Sequence, residues 1–300
     1  MKLKAWLKAL RAHFLTATVA PILVGTGAAW YATGSFDLLG FFLALVGGML
    51  IHLGANMSDD YFDSLSETDA LNASISAYSG GSRVIQEGLI PARQILVAAL
   101  GCMVAGSLMG IYLVVKLQSI PLLVIGTLGV FCAYFYTGTP LRLGYRGLAE
   151  IICGIGFGPM MALGAYFVQT PGLTATAVAA SIPVGLLLAM VLVINEFPDF
   201  DSDGAVGKRT IVVILGKSRA VRMYHVGILI PFIWVPGFVI AGIFPAWSLL
   251  VLASLPLAVK AFLVSRAHFQ DSAKILGANM STFFLHLSFN LLLSLGFLLG

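Results

Sequence analysis

The chain has 300 residues, of which 59% are hydrophobic and only 10% charged, with a mean hydropathy of +0.98. A water-soluble domain carries about a quarter charged residues, so a soluble enzyme is excluded and the chain reads as one integral membrane domain over residues 1–300. The net charge of +4 comes from 17 basic and 13 acidic residues. The basic ones sit between apolar runs, so they point to the lipid bilayer and not to nucleic acid.

Residues 1–11, Met-Lys-Leu-Lys-Ala-Trp-Leu-Lys-Ala-Leu-Arg, are basic and amphipathic and lead straight into a full-length apolar run. They are expected to form an interfacial anchor and not a cleavable signal peptide. Nine membrane spans follow, near 14–33, 37–58, 93–115, 119–137, 147–169, 173–196, 220–242, 246–265 and 277–298. Every second connection is short, and Lys116 is the lone basic residue in those short connections. The other face receives nearly all the remaining basic residues, which predicts a cytoplasmic N-terminus. The expected fold is therefore all-α and integral to the membrane: nine transmembrane helices in a bundle around a central cavity. Cys102, Cys132 and Cys153 lie scattered in apolar runs without paired spacing and read as small core residues.

Twelve of the 13 acidic residues fall on or near the basic face, Asp37 being the exception. Acids contribute little to orientation, so their clustering needs another cause. The second span ends in Asn56-Met-Ser-Asp59-Asp60-Tyr61-Phe62-Asp63. The sixth ends in Asn195-Glu-Phe-Pro-Asp199-Phe-Asp201-Ser-Asp203. On a helix Asn56, Asp60 and Asp63 share one face. Crowded carboxylates at a helix mouth repel unless a cation holds them, and a divalent ion carrying a phosphate meets that need. The echo between the two spans suggests two similarly oriented halves around one shared site.

Two other readings fail on the residues. Asp199-x-Asp201-x-Asp203-Gly204 opens like a calcium-binding EF-hand loop, but Thr210 stands where the twelfth-position Glu belongs, and Lys208 and Arg209 intervene. The acids followed by Gly207-Lys208-Arg209-Thr210 suit a magnesium-bound diphosphate better, carboxylates on the metal and cations on the phosphate oxygens. The CDP-alcohol phosphotransferase pattern needs Gly where Ser64 stands and an Ala-Arg that is absent at the required distance.

At these residues the chain resembles the UbiA superfamily of membrane aromatic prenyltransferases. The first motif of its naphthoate-prenylating branch is Asn-x-x-Asn-Asp-Tyr-x-Asp-x-x-x-Gly-x-Asp. Asn56, Asp60, Tyr61, Asp63 and Asp69 match it, with Asp59 in place of the second Asn and Glu67 in place of Gly. The second motif is matched by Asn195, Asp199, Asp203, Gly207, Lys208 and Thr210, with Pro198 where Arg is often found. Tyr136-Thr-Gly-Thr-Pro140, then Gly144-Tyr145 and Gly147-Leu-Ala-Glu150, is similar to the same branch. So are the segments around Arg11 and Gly80-Gly-Ser-Arg83.

The resemblance implies magnesium-dependent transfer of a polyprenyl group from a polyprenyl diphosphate to an aromatic acceptor. The implied acceptor is 1,4-dihydroxy-2-naphthoate, in menaquinone biosynthesis at the cytoplasmic membrane, with the active site facing the cytoplasm. A 4-hydroxybenzoate-type acceptor is the alternative, and a cation-coupled transporter a more distant one. It further implies Mg2+ on Asp60, Asp63, Asp199 and Asp203, assisted by Asn56 and Asn195 on metal or diphosphate. Lys208, Arg83 and Arg142 would neutralise the leaving diphosphate, and Tyr134, Tyr136, Phe131 and Tyr61 would offer π-faces to an allylic cation. Arg11 would hold an acceptor carboxylate or anchor its helix. Glu67, Asp69, Glu87 and Asp201 read equally as solvated residues, and His52 and His286 as hydrogen-bonded packing residues.

Overall fold

The computed structural model describes residues 2–65 and 81–300, and within them the chain is all-helical. The helices are α1 (Lys2–Leu10), α2 (Thr16–Thr33), α3 (Leu38–Leu65), α4 (Ala92–Leu117), α5 (Ile120–Phe135), α6 (Ala149–Gln169), α7 (Ala175–Ala205), α8 (Ile211–Leu215), α9 (Lys217–Ile240), α10 (Ala246–His268) and α11 (Leu276–Leu299). Among the described residues eight helical stretches are long and apolar enough to cross a membrane, α1 and α2 counting as one. The fourth expected span, α5, is an apolar helix of 16 residues and is not among the eight. At 1.5 Å per residue it reaches about 24 Å, short of a hydrocarbon core of about 30 Å.

Both acid-bearing helices outrun their apolar stretches. α3 continues to Leu65, seven residues past the expected end at 58, and α7 to Ala205, nine past 196. Hydropathy falls at Asp59 and Asn195, but the next turns keep a buried side: Met57, Asp60, Phe62 and Asp63 on α3, and Glu196, Phe197 and Asp203 on α7. A hydropathy boundary marks where the apolar stretch stops, whereas a helix stops where its packing and hydrogen bonding stop. Even Pro198, which leaves the carbonyl of Ile194 without its backbone donor, does not end α7.

Pro159 is absorbed differently. It lies in a five-residue π-helical segment, Gly156–Met160, that interrupts α6, and such widened turns free the backbone from strict i→i−4 bonding. There α6 crosses α7 at glycines. A Cβ on Gly185 would stand 2.2 Å from the carbonyl oxygen of Gly154 and 3.1 Å from the Cα of Gly158. Close backbone approach of this kind is how helices gain dispersion contacts where lipid supplies no hydrophobic drive.

The most enclosed spanning helix is α7. It packs on α6, α9 and α11, whereas α3 packs chiefly on α4. The main core joins α7, α9 and α11 through residues such as Leu187, Ile194, Tyr224, Ile228 and Phe289. A smaller core beneath α1 gathers Ala5, Ala9, Met57, Val84 and Ile95. The outer faces carry exposed apolar side chains, Ile233 and Ile240 among them, as a lipid-facing surface requires.

Candidate active site

Asn56, Asp60 and Asp63 share the inward face of α3. Asp60 is 2% exposed. Its Oδ1 accepts the backbone N–H of Ser82 at 2.9 Å and lies 3.3 Å from the Arg11 guanidinium, while its Oδ2 is buried and unpartnered. Arg11 also donates to Asp59 Oδ2 and to the carbonyl of Asn56, each at 3.0 Å. α1 is thereby fastened over the first acidic cluster. An outer ion pair, Lys8–Glu87 at 2.6 Å, ties it to the segment beyond α3. That pair is exposed and contributes about 0–1 kcal/mol.

On α7, Asp203 is buried and pairs with Lys208 at 3.6 Å, and Asn195 Oδ1 accepts from Asn279 Nδ2 of α11 at 2.9 Å. Asp199 and Ser202 lie on the same final turns, Ser202 Oγ donating to the Asp199 carbonyl.

The connection between α5 and α6 joins the two clusters. Tyr145, at the end of a 3₁₀ turn over Leu143–Tyr145, donates its hydroxyl to Asp63 Oδ1 at 2.5 Å. The Arg142 guanidinium lies 4.4 Å above its ring, and Lys208 Nζ 5.7 Å from it. Glu150, at the start of α6, accepts the Ile211 N–H at 2.6 Å and so holds the Gly207–Thr210 loop in place. Thr210 itself caps α8 by accepting from Val213 N–H.

Two groups here lie outside the spans and have shifted pKa values. Burial works against the Lys208 ammonium, but Asp203, Asp63 and Asp59 outweigh it and carry its pKa above the ordinary lysine range. Both clusters therefore act on one cation. Burial first, then the Cys153 thiol and the Asp59 and Glu196 carboxylates, pushes the Tyr136 phenol well above its ordinary value. It stays protonated, a donor and a neutral ring.

The backbone at this mouth is unusual. Arg11, Arg83 and Arg142 adopt left-handed conformations with φ of 45°, 60° and 45°. Each such residue costs about 1–3 kcal/mol and persists only where the surroundings over-determine it. Of the three, Arg11 reaches the first acidic cluster and Arg142 the Tyr145 ring.

Not every sequence candidate joins this cluster. Ser82 binds Asp60 and brings Arg83 beside it along the chain, but among the described residues no hydrogen bond or ion pair engages the Arg83 side chain. Tyr61 packs with Met57 and Val84 in the small core beneath α1. Phe131 is 43% exposed and stacks on Phe135, while Tyr134 meets Phe62 edge-on at 5.9 Å. His52 makes a 2.7 Å hydrogen bond with Thr18 inside the bundle. Glu67, Asp69 and Gly80 lie outside the described residues.

Sequence reasoning passed over Tyr145, Glu150 and Glu196 as site residues. The two glutamates are buried beside one another, and an ionisable residue within a span was the available signal. Tyr145 lies in the Gly144-Tyr145 segment that resembles the naphthoate branch, but that likeness gave it no role.

Below the mouth lies an apolar cavity of about 400 Å³ between α3, α4, α5 and α6, lined by Gly47, Ile51, Gly106, Gly126, Val130 and Gly164 among others. Ile51 and Asp60 are about 13 Å apart along α3. Ile111 of α4 and Leu123 of α5 line the cavity and are both about half exposed, so the cavity is not sealed at that side.

The donor set fits magnesium with a diphosphate. Among the described residues no three His, Cys, Asp or Glu side chains gather tightly enough to hold an ion unaided. Magnesium, however, takes one or two carboxylates and completes its shell with phosphate oxygens and water. The buried, unpartnered Asp60 Oδ2 is a hard oxygen donor of the required kind.

The sequence model of the UbiA prenyltransferase family matches residues 18–288. A 1,4-dihydroxy-2-naphthoate octaprenyltransferase of Bacillus subtilis is 30% identical over 97% of this chain and 91% of its own length. The Escherichia coli protein of that name is 31% identical over 86% of this chain and 83% of its own. A solved UbiA homolog from Archaeoglobus fulgidus, bound to DMAPP and Mg2+, superposes with a TM-score of 0.66 over 96% of this chain and 99% of its own. At 13% identity that likeness speaks for the fold.

Proposed function

The chain belongs to the UbiA prenyltransferase family, and on that footing we propose that it transfers a polyprenyl group from an allylic diphosphate to 1,4-dihydroxy-2-naphthoate, for menaquinone biosynthesis. The observation that carries the reading is the joining of two acidic helix ends, Asp63 to Tyr145 and Asp203 to Lys208 beside the Tyr145 ring, above an apolar cavity.

Asp60, Asp63, Asp199 and Asp203 would hold two magnesium ions, one or two carboxylates to each, with Asn56 and Asn195 beside them. When bound, magnesium neutralises diphosphate oxygens and makes the diphosphate a better leaving group. Lys208 and Arg142, already seated on the Tyr145 ring, face the growing negative charge as the allylic C–O bond breaks, with Arg83 near Asp60 as a third cation. Tyr136 offers a neutral π-face and a protonated hydroxyl. The acceptor ring attacks the allylic carbon, and with a naphthoate acceptor the carboxylate is lost as CO2. The apolar cavity shelters the isoprenoid tail from water, and a longer tail continues through its unsealed side into lipid.

Counting α5 as a span, the chain crosses the cytoplasmic membrane nine times, and the basic connections favour a cytoplasmic side for the N-terminus and the acidic mouth; the cavity lies between α3, α4, α5 and α6.

The test is transfer by purified protein in detergent, with radiolabelled polyprenyl diphosphate, magnesium and a panel of aromatic acceptors. Prenylated naphthoate that disappears with EDTA is the expected result. No product with any acceptor sinks the reading, and product from 4-hydroxybenzoate alone sinks the acceptor assignment. The cavity gives a separate outcome. A Cβ on Gly126 meets nothing within 4 Å, yet Gly126 lines the cavity. Gly126→Phe should leave the unfolding temperature unchanged and shift donor preference toward shorter chains. An unaltered chain-length profile argues that the tail lies elsewhere.

A further inference from the structure

We propose that Tyr145 is a positioning residue that couples the two acidic clusters: its hydroxyl orients Asp63 and its ring seats Lys208 and Arg142, so magnesium and diphosphate bind as one unit. The proposal rests on reading this mouth as a magnesium–diphosphate site.

The spacing of the clusters needs a cause, because α3 packs chiefly on α4 and α7 on α6, α9 and α11. Tyr145 reaches both sides. Its O–H meets Asp63 of the first motif at 2.5 Å, and its carbonyl accepts Arg209 N–H of the second motif's loop at 3.1 Å. Tyr145 is itself held. Its N–H donates to the Arg142 carbonyl at 2.9 Å, and Gly144 N–H to the Tyr136 carbonyl at 2.8 Å. Gly144 is tight against the Tyr136 ring, where a Cβ would sit at 3.2 Å.

The chemistry suits a support role. A donated hydrogen bond fixes the rotation of a carboxylate and so the direction of its metal-binding oxygens. A ring face holds cations through its quadrupole without using their N–H donors. Lys208 and Arg142 can then lean on the ring and still offer those N–H groups to phosphate oxygens.

The experiment follows the unfolding temperature of the full chain in detergent while magnesium is titrated at fixed inorganic pyrophosphate. Wild type should be stabilised in a magnesium-dependent way. A flat wild-type response sinks the magnesium–diphosphate reading itself, separately from Tyr145. Given a wild-type response, Tyr145→Phe, which keeps the ring, should need roughly 10- to 100-fold more magnesium for half its effect. Each midpoint is read against that variant's own metal-free baseline, so a change in intrinsic stability does not confuse the comparison. Tyr145→Leu, which loses the ring as well, should also weaken pyrophosphate binding at saturating magnesium. In turnover, Tyr145→Phe should raise the apparent KM for magnesium more than it lowers kcat. A Tyr145→Phe midpoint equal to wild type overturns the proposal, as does a Tyr145→Leu variant that matches Tyr145→Phe for pyrophosphate.

Discussion

Asp60→Asn should lower prenyl transfer by roughly 10³-fold, as losing a preorganised charge-stabilising group does, while the protein still folds and inserts. Asparagine keeps the shape of the side chain and an oxygen for the Ser82 N–H, but it puts an amide where the buried, unpartnered Oδ2 stands. Arg11 keeps Asp59 and the Asn56 carbonyl as partners, so no cation is stranded. The metal-free protein should unfold at the wild-type temperature or slightly above, because one charge leaves a crowd of buried carboxylates. Asp203→Asn should lower transfer equally from the other helix, but with some loss of stability, because Lys208 loses its ion-pair partner. The two carboxylates serve one bound group, so the double variant should lose little more than either single one. Transfer assays with a parallel unfolding curve decide the matter. Activity within tenfold of wild type for either single variant would contradict the metal assignment.

Gly185→Val should damage the fold first and the site through it. A Cβ there would lie 2.2 Å from the Gly154 carbonyl oxygen and 3.1 Å from the Gly158 Cα, both backbone positions that cannot swing aside. The α6–α7 crossing must open, losing dispersion contacts along both helices at a cost of about 1–3 kcal/mol or more. Because α7 carries Asn195 to Asp203 and α6 carries Glu150, the same opening should loosen the mouth. Thermal unfolding in detergent should show a drop of several degrees for Gly185→Val, less for Gly185→Ala, and none for Gly126→Ala, whose Cβ meets open space. An unchanged unfolding temperature for Gly185→Val would mean that the glycine crossing does not set the packing.

The Asp59–Arg11 pair changes how one departure from the family pattern reads. In the sequence, Asp59 in place of Asn is an extra negative charge with no evident partner. In the fold it receives the Arg11 guanidinium at 3.0 Å, and Arg11 lies in a left-handed conformation that brings α1 over the cluster. The added charge is thus matched by a cation 48 residues away in the chain, a compensation that spacing alone does not reveal.

What could be read from residues alone was whatever depends on composition and local period. The membrane class followed from hydropathy, because about twenty apolar residues in succession have few other uses. The acidic clusters followed from helical spacing, and their role from the Gly-Lys-Arg-Thr that follows the second. The apolar spans stop near 58 and 196, but how far the helices run on did not show in hydropathy, because Asp60 and Asp203 are buried by neighbours distant in sequence. Tertiary structure alone decided that Lys208 feels both clusters, that Tyr145 bridges them, and that Tyr61 and Phe131 face packing and the outer surface. Each of those is a contact between segments tens of residues apart, set by how the helices cross at their glycines and how the α5–α6 connection folds back between α3 and α7.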